Sequence, residues 1–267
     1  MSRTIAIYNF KGGVGKTSTT LNLALSWSRS FKVLVIDCDP QANLTHTLTD
    51  NVEHEINLFT ILKDVIHNRQ HAIKPLELSG YLHIIPGHVK MAELESNSEF
   101  ISFGNTIIYK LLAQVNRQYD FIILDCPTHF GKIVKFSLAN VKSILIPAIP
   151  DSYSTTGFRQ LLHYLKEVER EISLNVLGVF FNLFRKNTRH HQMIRLQAEK
   201  ELGDVLLSHN VRQGIKVSEA NWGHRSIYSF EEENEVANDF MRLSEEVLGR
   251  LDSVYLDQII NNTTLQK

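Results

Sequence analysis

The sequence has only two cysteines among its 267 residues, and its formal net charge is −1. Two cysteines are too few for the disulfide framework of a small secreted domain. Cys38 and Cys126 each follow an aspartate at the end of an apolar run, so we expect both to be reduced core side chains. A two-fold dimer that pools four thiolates around an iron–sulfur cluster is a less favoured alternative, because both cysteines lie within the motifs described below.

The sequence also has no run of about 18 apolar residues, which is the length needed to cross a bilayer. It enters a strand-like run at Thr4 without the apolar segment of a secretory signal, so we expect a cytoplasmic protein. Its hydrophobic content of 43% is sufficient for a full core, and no linker or repeat divides it. We predict a single domain over residues 1–258 and a flexible tail over 259–267.

Six apolar runs of strand length recur along the chain, separated by segments long enough for crossover helices. Because these runs are almost continuously apolar, both faces of each strand should be buried, which is typical of a parallel sheet. We therefore predict an α/β fold: a doubly wound, mainly parallel sheet with helices on both faces. The runs are Thr4–Tyr8, Lys32–Asp37, Leu82–Pro86, Phe121–Asp125, Ser143–Ile149 and Asn175–Asn182. Apolar periodicity predicts core-facing helices near 58–66, 158–168 and 236–251.

A glycine-rich segment follows the first run and indicates a phosphate-binding loop. Its glycines let backbone N–H groups approach phosphate oxygens, and a helix expected from Thr17 to about Ser30 adds its positive N-terminal end. Lys16 is suited to the β- and γ-phosphates and Thr17 to Mg²⁺. Phe10 stands where an ordinary P-loop begins with glycine, and Lys11 is an additional lysine. The predicted nucleotide-binding residues of this loop are Gly12, Gly13, Val14, Gly15, Lys16, Thr17 and Ser18.

Carboxylates end two other apolar runs. Asp37 and Asp39 follow the second run, where one can reach the Mg²⁺ shell while the other orients an attacking water. Taken alone, this pair is equally typical of an Asx turn at a strand end. Asp125 ends the fourth run, as expected of a residue that holds Mg²⁺ directly or through water.

These motifs together resemble the deviant-Walker-A ATPases of the ParA/Soj/MinD group, and most of all the short ParA/Soj partition ATPases. The resemblance covers nearly the whole chain. It rests on KGGVGKTS at 11–18, DCDPQANLT at 37–45, DCP at 125–127, Ile146-Pro147, TGFRQLL at 156–162 and VSEA at 217–220. It implies a Mg²⁺-dependent P-loop ATPase that forms an ATP-dependent homodimer.

The resemblance also implies roles for individual residues. Lys16 binds phosphate, Asp39 positions the water, and Asn182 lies near the adenine base. Lys11 crosses the dimer interface to the partner's phosphates, as an arginine finger does, so the implied catalytic residues are Lys11, Lys16 and Asp39. Thr17, Asp37 and Asp125 serve Mg²⁺. The chain departs from the family at 128–130, where Thr-His-Phe stands in place of proline, a small residue and leucine. No role is assigned to His129.

Basic residues are concentrated between Arg185 and Arg225, with eight Lys or Arg against four acids. Such a stretch is either an ordinary solvated face or an anion-binding surface. In ParA/Soj relatives this part of the dimer makes sequence-independent contacts with DNA phosphates, which give weak, salt-sensitive binding. The DNA-contact residues predicted on this basis are Arg185, Lys186, Arg189, Arg212, Lys216 and Arg225.

The sequence therefore predicts an ATPase for plasmid or chromosome partition, associated with the nucleoid and released from DNA after hydrolysis stimulated by a ParB-like centromere-binding partner. One alternative is a MinD-like positioning ATPase on a membrane. We do not favour it, because the last 37 residues are rich in acids and lack a lysine-rich amphipathic face. Positioning of a protein cargo on the nucleoid, and a metabolic or metal-handling ATPase of the same superfamily, are further alternatives.

Overall fold

The computed structural model describes residues 2–49, 51, 53–69, 72–141, 143–150, 175–214 and 234–264. Within these ranges seven strands form one sheet, in the order β3-β4-β2-β5-β1-β6-β7. All neighbouring strands are parallel except β3 and β4. The strands are β1 (Arg3–Ile7), β2 (Val33–Asp37), β3 (Leu76–Ser79), β4 (Leu82–Ile85), β5 (Phe121–Asp125), β6 (Ser143–Ala148) and β7 (Asn175–Phe181).

The six strands predicted from apolar runs are confirmed, with ends that differ by one residue at most, but β3 was not predicted. This strand is an edge strand whose residues are mostly exposed, so it lacks the apolar pattern of the others. A two-residue turn at Gly80 and Tyr81 joins it to β4 as an antiparallel hairpin. The turn was the sequence signal that could have revealed it.

Helices cover both faces of the sheet, as predicted. On one face α3, α5 and α6 pack over the strands through residues such as Leu62, Phe100 and Leu138. On the other face α1 and α8 pack together through residues such as Trp27 and Phe240. The helices are α1 (Lys16–Trp27), α2 (Asn43–Leu48), α3 (Leu58–Ile66), α4 (Met91–Leu94), α5 (Ser98–Val115), α6 (Lys132–Val141), α7 (Arg189–Leu202) and α8 (Glu235–Thr264). The predicted helix near 158–168 lies outside the described residues.

Strand register brings the predicted chemical residues to one edge of the sheet. Asp37 is the register partner of Asp125, and Asp125 is also the partner of Ile7, the last residue of β1. The phosphate-binding loop, which follows Ile7, therefore emerges beside both aspartates. This edge is formed by the carboxyl ends of parallel strands, where α/β folds bind their ligands.

The C-terminal helix α8 uses its apolar stripe in the core. Val236, Phe240, Leu243, Val247 and Leu251 are all buried to 5% exposure or less. A stripe that is already covered is not available for a bilayer surface, which argues against the membrane alternative. None of the helices in the described ranges combines the length and apolar character needed to cross a membrane. The helix continues to Thr264, into the predicted tail at 259–267, whose flexibility stays a prediction.

We predict that Phe240→Ala destabilises the protein by about 3–5 kcal/mol, because it removes a buried aromatic ring and leaves a cavity between α8 and α1. Urea unfolding followed by circular dichroism measures this loss. The adjacent Met241, which is 36% exposed, supplies the control, and Met241→Ala should change stability by no more than about 0.5 kcal/mol. Equal effects of the two substitutions would contradict the placement of α8.

Candidate nucleotide-binding site

The loop between β1 and α1 has the conformation of a phosphate cradle. Gly13 and Gly15 adopt φ angles of 74° and 88°, which glycine tolerates and other residues seldom do. Gly15 is the N-cap of α1 and makes no side-chain cap, so the first N–H groups of the helix face the loop. These N–H groups and the helix dipole favour an anion at this position.

Two buried asparagines hold the loop from either side. Asn9 donates to the carbonyl of Pro147 at 2.8 Å and accepts from the Lys11 N–H at 3.0 Å. Asn182 follows β7 and donates through Nδ2 to the Val14 carbonyl at 2.9 Å. A Cβ on residue 15 would overlap this amide, so glycine is required there for a second reason. Asn182 thus supports the phosphate loop, and its predicted place near adenine stays a prediction.

The two lysines of the loop have opposite environments. Lys16 is only 7% exposed, and its Nζ donates to Thr128 Oγ1 at 2.9 Å and to the Lys11 carbonyl at 3.3 Å. Burial lowers the pKa of Lys16, and the charges of Asp125 and Asp39 oppose that shift. Lys11, in contrast, is exposed. The structure therefore places one lysine inside the site and the other at its surface.

Asp125 is completely buried and contacts the first turn of α1. Its Oδ2 accepts from the Thr17 hydroxyl at 2.8 Å, and its Oδ1 accepts from the Thr20 hydroxyl at 3.1 Å. Burial and the neighbouring charge of Asp37 raise the pKa of Asp125 to about 8. The predicted pair of Thr17 and Asp125 is thus brought together, whereas Thr20 was not predicted. Thr20 could have been predicted from its position three residues after Thr17, which places both residues on the same face of the helix.

Asp37 is bound to its own loop. The Oδ2 atom of Asp37 accepts from the Thr45 N–H at 2.9 Å and from the Thr45 hydroxyl at 2.7 Å. The Oδ1 atom of Asp37 accepts from the Asp39 N–H at 3.2 Å. Thr45 also accepts from the Gly87 N–H at 2.8 Å, which ties β4 to this loop. Burial raises the pKa of Asp37. Asp37 therefore orders the segment after β2, and sequence reasoning did not find Thr45.

Asp39 is partly exposed beside Lys16. Its Oδ1 accepts from the Gln41 N–H at 2.9 Å, and its carbonyl accepts from the Ala42 N–H at 2.9 Å. Ala42 has a φ of 51°, so this short turn is sharp and α2 begins directly after it. The negative charge of Asp39 raises the pKa of Lys16 and so opposes the effect of burial.

The residues at this edge fit a magnesium ion that arrives with a nucleotide. The Thr17 hydroxyl and the Asp125 carboxylate supply adjacent oxygen atoms, the donor type that Mg²⁺ prefers. Across the described ranges, no group of three His, Cys, Asp or Glu side chains is arranged to hold a metal. This agrees with the habit of Mg²⁺, which uses one or two carboxylates, waters and substrate phosphates instead of a complete protein cage.

A cavity of about 550 Å³ is lined in part by residues that follow β7. Its walls come from the residues after β7 and from the segment that precedes α8 in the described chain. They are Phe184, Arg185, Lys186, Asn187, Arg212, Gln213 and Gly214. The cavity has the size of a small-molecule pocket.

The predicted DNA contacts divide into three groups. Arg185, Lys186 and Arg189 are exposed together, at the end of β7 and the start of α7. Arg212 differs, because its guanidinium forms two hydrogen bonds with Asp239, at 2.6 Å and 3.0 Å, and an ion pair with Glu235. These bonds attach α8 to the preceding segment, so Arg212 has a structural role. Lys216 and Arg225 lie outside the described residues.

Residues 2–177 match a protein family described as an AAA domain. Three curated relatives are similar over 94% of this chain. A ParA family protein of Chlamydia trachomatis is 28% identical over its entire length. The chromosome-partitioning ATPase Soj of Treponema pallidum is 26% identical over 98% of its length. The chromosome partitioning protein ParA of Myxococcus xanthus is 30% identical over 89% of its length.

Solved structures show the same fold. Apo McdA of Cyanothece superposes with a TM-score of 0.79 at 22% identity, covering 94% of this chain and all of that chain. A plasmid partition protein of Borrelia burgdorferi bound to AMPPNP has a TM-score of 0.74 at 20% identity, covering 94% of this chain and 98% of that chain.

The raised pKa of Asp125 leads to a prediction about stability and pH. Folded Asp125 keeps a proton that the unfolded chain releases near pH 4, so the stability that this carboxyl contributes is present below about pH 4 and is lost as pH rises through about 8. Asp125→Asn resembles the protonated carboxyl and should remove this dependence. Urea unfolding without nucleotide and with EDTA measures the free energy of unfolding of both proteins. The difference, variant minus wild type, should be larger at pH 8 than at pH 5 by at least about 1 kcal/mol. An equal difference at both pH values would contradict the raised pKa.

Proposed function

Because this chain belongs to the ParA family of partition ATPases, we propose that it hydrolyses ATP with Mg²⁺ and that its ATP-bound form is a DNA-binding dimer. The one observation that supports the dimer most directly is the contrast between the two loop lysines, one buried in the site and one exposed at its rim.

The residues of the phosphate loop bind and orient the nucleotide. The N–H groups of Gly12 to Thr17 surround the phosphates, and Lys16 neutralises charge on their oxygens. The base would lie near Asn182, as the family resemblance implies, because this asparagine is attached to the phosphate loop through the Val14 carbonyl. The phosphates would then be bound by the loop after β1 and the base by the segment after β7. The hydrogen bond from the Asn182 amide to the Val14 carbonyl joins these two segments.

Magnesium would be held by Thr17 and, directly or through water, by Asp125. The ion supplies positive charge that stabilises the transferred phosphoryl group. Asp37 stays bound to Thr45 and keeps the neighbouring loop in order. Asp39 is suited to orient the attacking water, because its carboxylate is partly exposed and lies near Lys16.

Lys11 would complete the site of a second subunit. Its backbone faces its own site, since its carbonyl accepts a hydrogen bond from Lys16, while its side chain remains exposed. A cation supplied across an interface to a transferring phosphoryl group is worth ~10³–10⁵ in rate. Two copies that face each other across their phosphate loops would exchange these lysines reciprocally, as a two-fold interface requires.

We predict that Lys11→Ala binds MgATP with near wild-type affinity, because the side chain does not serve its own phosphates. The same variant should remain monomeric with ATP at concentrations where the wild type dimerises. Isothermal titration calorimetry and light scattering measure the two properties. Lys16→Ala is the control, and it should lose nucleotide binding altogether. A Lys11→Ala dimer that forms normally with ATP would sink the proposed interface.

DNA binding would use the exposed cluster of Arg185, Lys186 and Arg189 on each subunit. A single copy offers too few phosphate contacts for useful retention, whereas a dimer doubles them and raises the effective concentration of the second cluster. ATP would then control DNA binding through dimerisation. A ParB-like partner that stimulates ATP hydrolysis would release the protein from DNA. While it is bound to DNA, the protein would be associated with the nucleoid.

We predict that DNA shift assays show binding with ATP and little with ADP or without nucleotide. Lys186→Ala combined with Arg189→Ala should weaken ATP-dependent binding at least about tenfold and flatten its salt dependence, because phosphate contacts are lost. Lys90→Ala combined with Lys110→Ala is the matched control, with the same charge change on exposed residues elsewhere. The basic cluster is not the DNA face if the first double variant binds DNA like wild type at 150 mM salt.

A further inference from the structure

One contact of the site has no part in the proposed hydrolysis chemistry. Lys16, which must bind phosphate, donates from Nζ to the hydroxyl of Thr128 at 2.9 Å. Thr128 is in the loop between β5 and α6, and Lys16 is almost completely buried. A buried ammonium without a good acceptor is costly, so this hydroxyl stabilises the site when no nucleotide is present.

The residue that makes this contact departs from the family pattern. Thr128 stands where the family resemblance leads one to expect proline, which has no side-chain hydroxyl. A hydrogen bond to a charged donor is worth about twice a neutral one. The substitution therefore adds an interaction of useful strength at the atom on which nucleotide binding depends.

The remainder of the loop is held by groups that bind no phosphate. The Tyr8 hydroxyl donates to the Thr128 carbonyl at 3.5 Å. At the far end, the Glu95 carboxylate accepts from the N–H groups of Lys132 and Ile133 at 2.6 Å and 3.1 Å, and so caps α6. Of these contacts, the hydrogen bond between Thr128 and Lys16 uses the ammonium group that would also bind phosphate oxygens.

We propose that Thr128 is a positioning residue whose hydroxyl holds Lys16 in the nucleotide-free protein and competes with nucleotide phosphates for the same ammonium. This inference rests on the proposed function, because it requires Lys16 to bind phosphate. Nucleotide binding exchanges the hydroxyl for phosphate oxygens. The exchange lowers nucleotide affinity and frees the loop before α6 from one of its attachments.

Thr128→Val keeps the shape of the side chain and removes the acceptor. The variant should bind MgADP and MgATP about 5- to 30-fold more tightly than wild type, by the same factor for both, because the loss falls on the free state. The nucleotide-free variant should be less stable to urea by the same free energy, about 1–2 kcal/mol from that fold-change. At the same saturating concentration of MgADP the two proteins should unfold alike, because the tighter binding of the variant offsets the lower stability of its nucleotide-free form.

Two control variants separate this competition from general damage to the loop. Thr128→Ser retains the hydroxyl and should behave like wild type in affinity and stability. Tyr8→Phe removes the contact with the Thr128 carbonyl and leaves the Lys16 contact in place, so it should not tighten nucleotide binding. If Thr128→Val folds poorly, Thr128→Ala also lacks the hydroxyl, and its affinity for MgADP can be compared with that of wild type instead.

Unchanged affinity for both nucleotides in Thr128→Val would overturn the proposal. Weaker binding of ATP with unchanged ADP would also overturn it, because the hydroxyl would then act on the γ-phosphate of the bound state. A wild-type protein that binds neither nucleotide would instead remove the proposed function. In that event the stability of nucleotide-free Thr128→Val against Thr128→Ser still measures whether the hydroxyl holds Lys16.

Discussion

Two carboxyl groups, Asp37 and Asp125, end neighbouring strands in register, and the fold buries both of them. Two like charges so close together in a medium of low dielectric cannot both ionise without compensation. The surrounding site supplies it: hydroxyl groups of Thr17, Thr20 and Thr45 donate to the carboxylates, and Lys16 adds a positive charge nearby. Burial raises the pKa of both carboxyl groups, so protonation or a nearby positive charge relieves their mutual repulsion.

The sequence was sufficient for most of the architecture because buried parallel strands leave an unambiguous pattern. The six apolar runs became the five interior strands of the sheet and the edge strand β7. The positions where these strands end determine which polar residues meet. Asp125 and Thr17 could be paired in advance for that reason. The role of Lys11 could be proposed from sequence only through the family resemblance, since its exposure alone is ordinary for a loop lysine.

What the sequence did not reveal depends on distances between segments remote along the chain. Thr45 and Thr128 are common residues in polar loops, and only the folded sheet brings their hydroxyls to Asp37 and Lys16. The edge strand β3 lacks an apolar pattern because one side of it meets solvent. Arg212 was grouped with the other basic residues by its charge and by the family resemblance, neither of which reveals that its partners Asp239 and Glu235 come from the later acidic stretch.

Asn182 reaches across β6, which separates β7 from β1 in the sheet, to hold the Val14 carbonyl against Gly15. A Cβ at position 15 would displace the amide, and a residue at 182 without a hydrogen-bond donor would leave the Val14 carbonyl without this partner. Positions 15 and 182 therefore form one structural unit. A side chain added at position 15 and the loss of the amide at position 182 would each break the same hydrogen bond, so the conformation of the phosphate loop depends on both positions together.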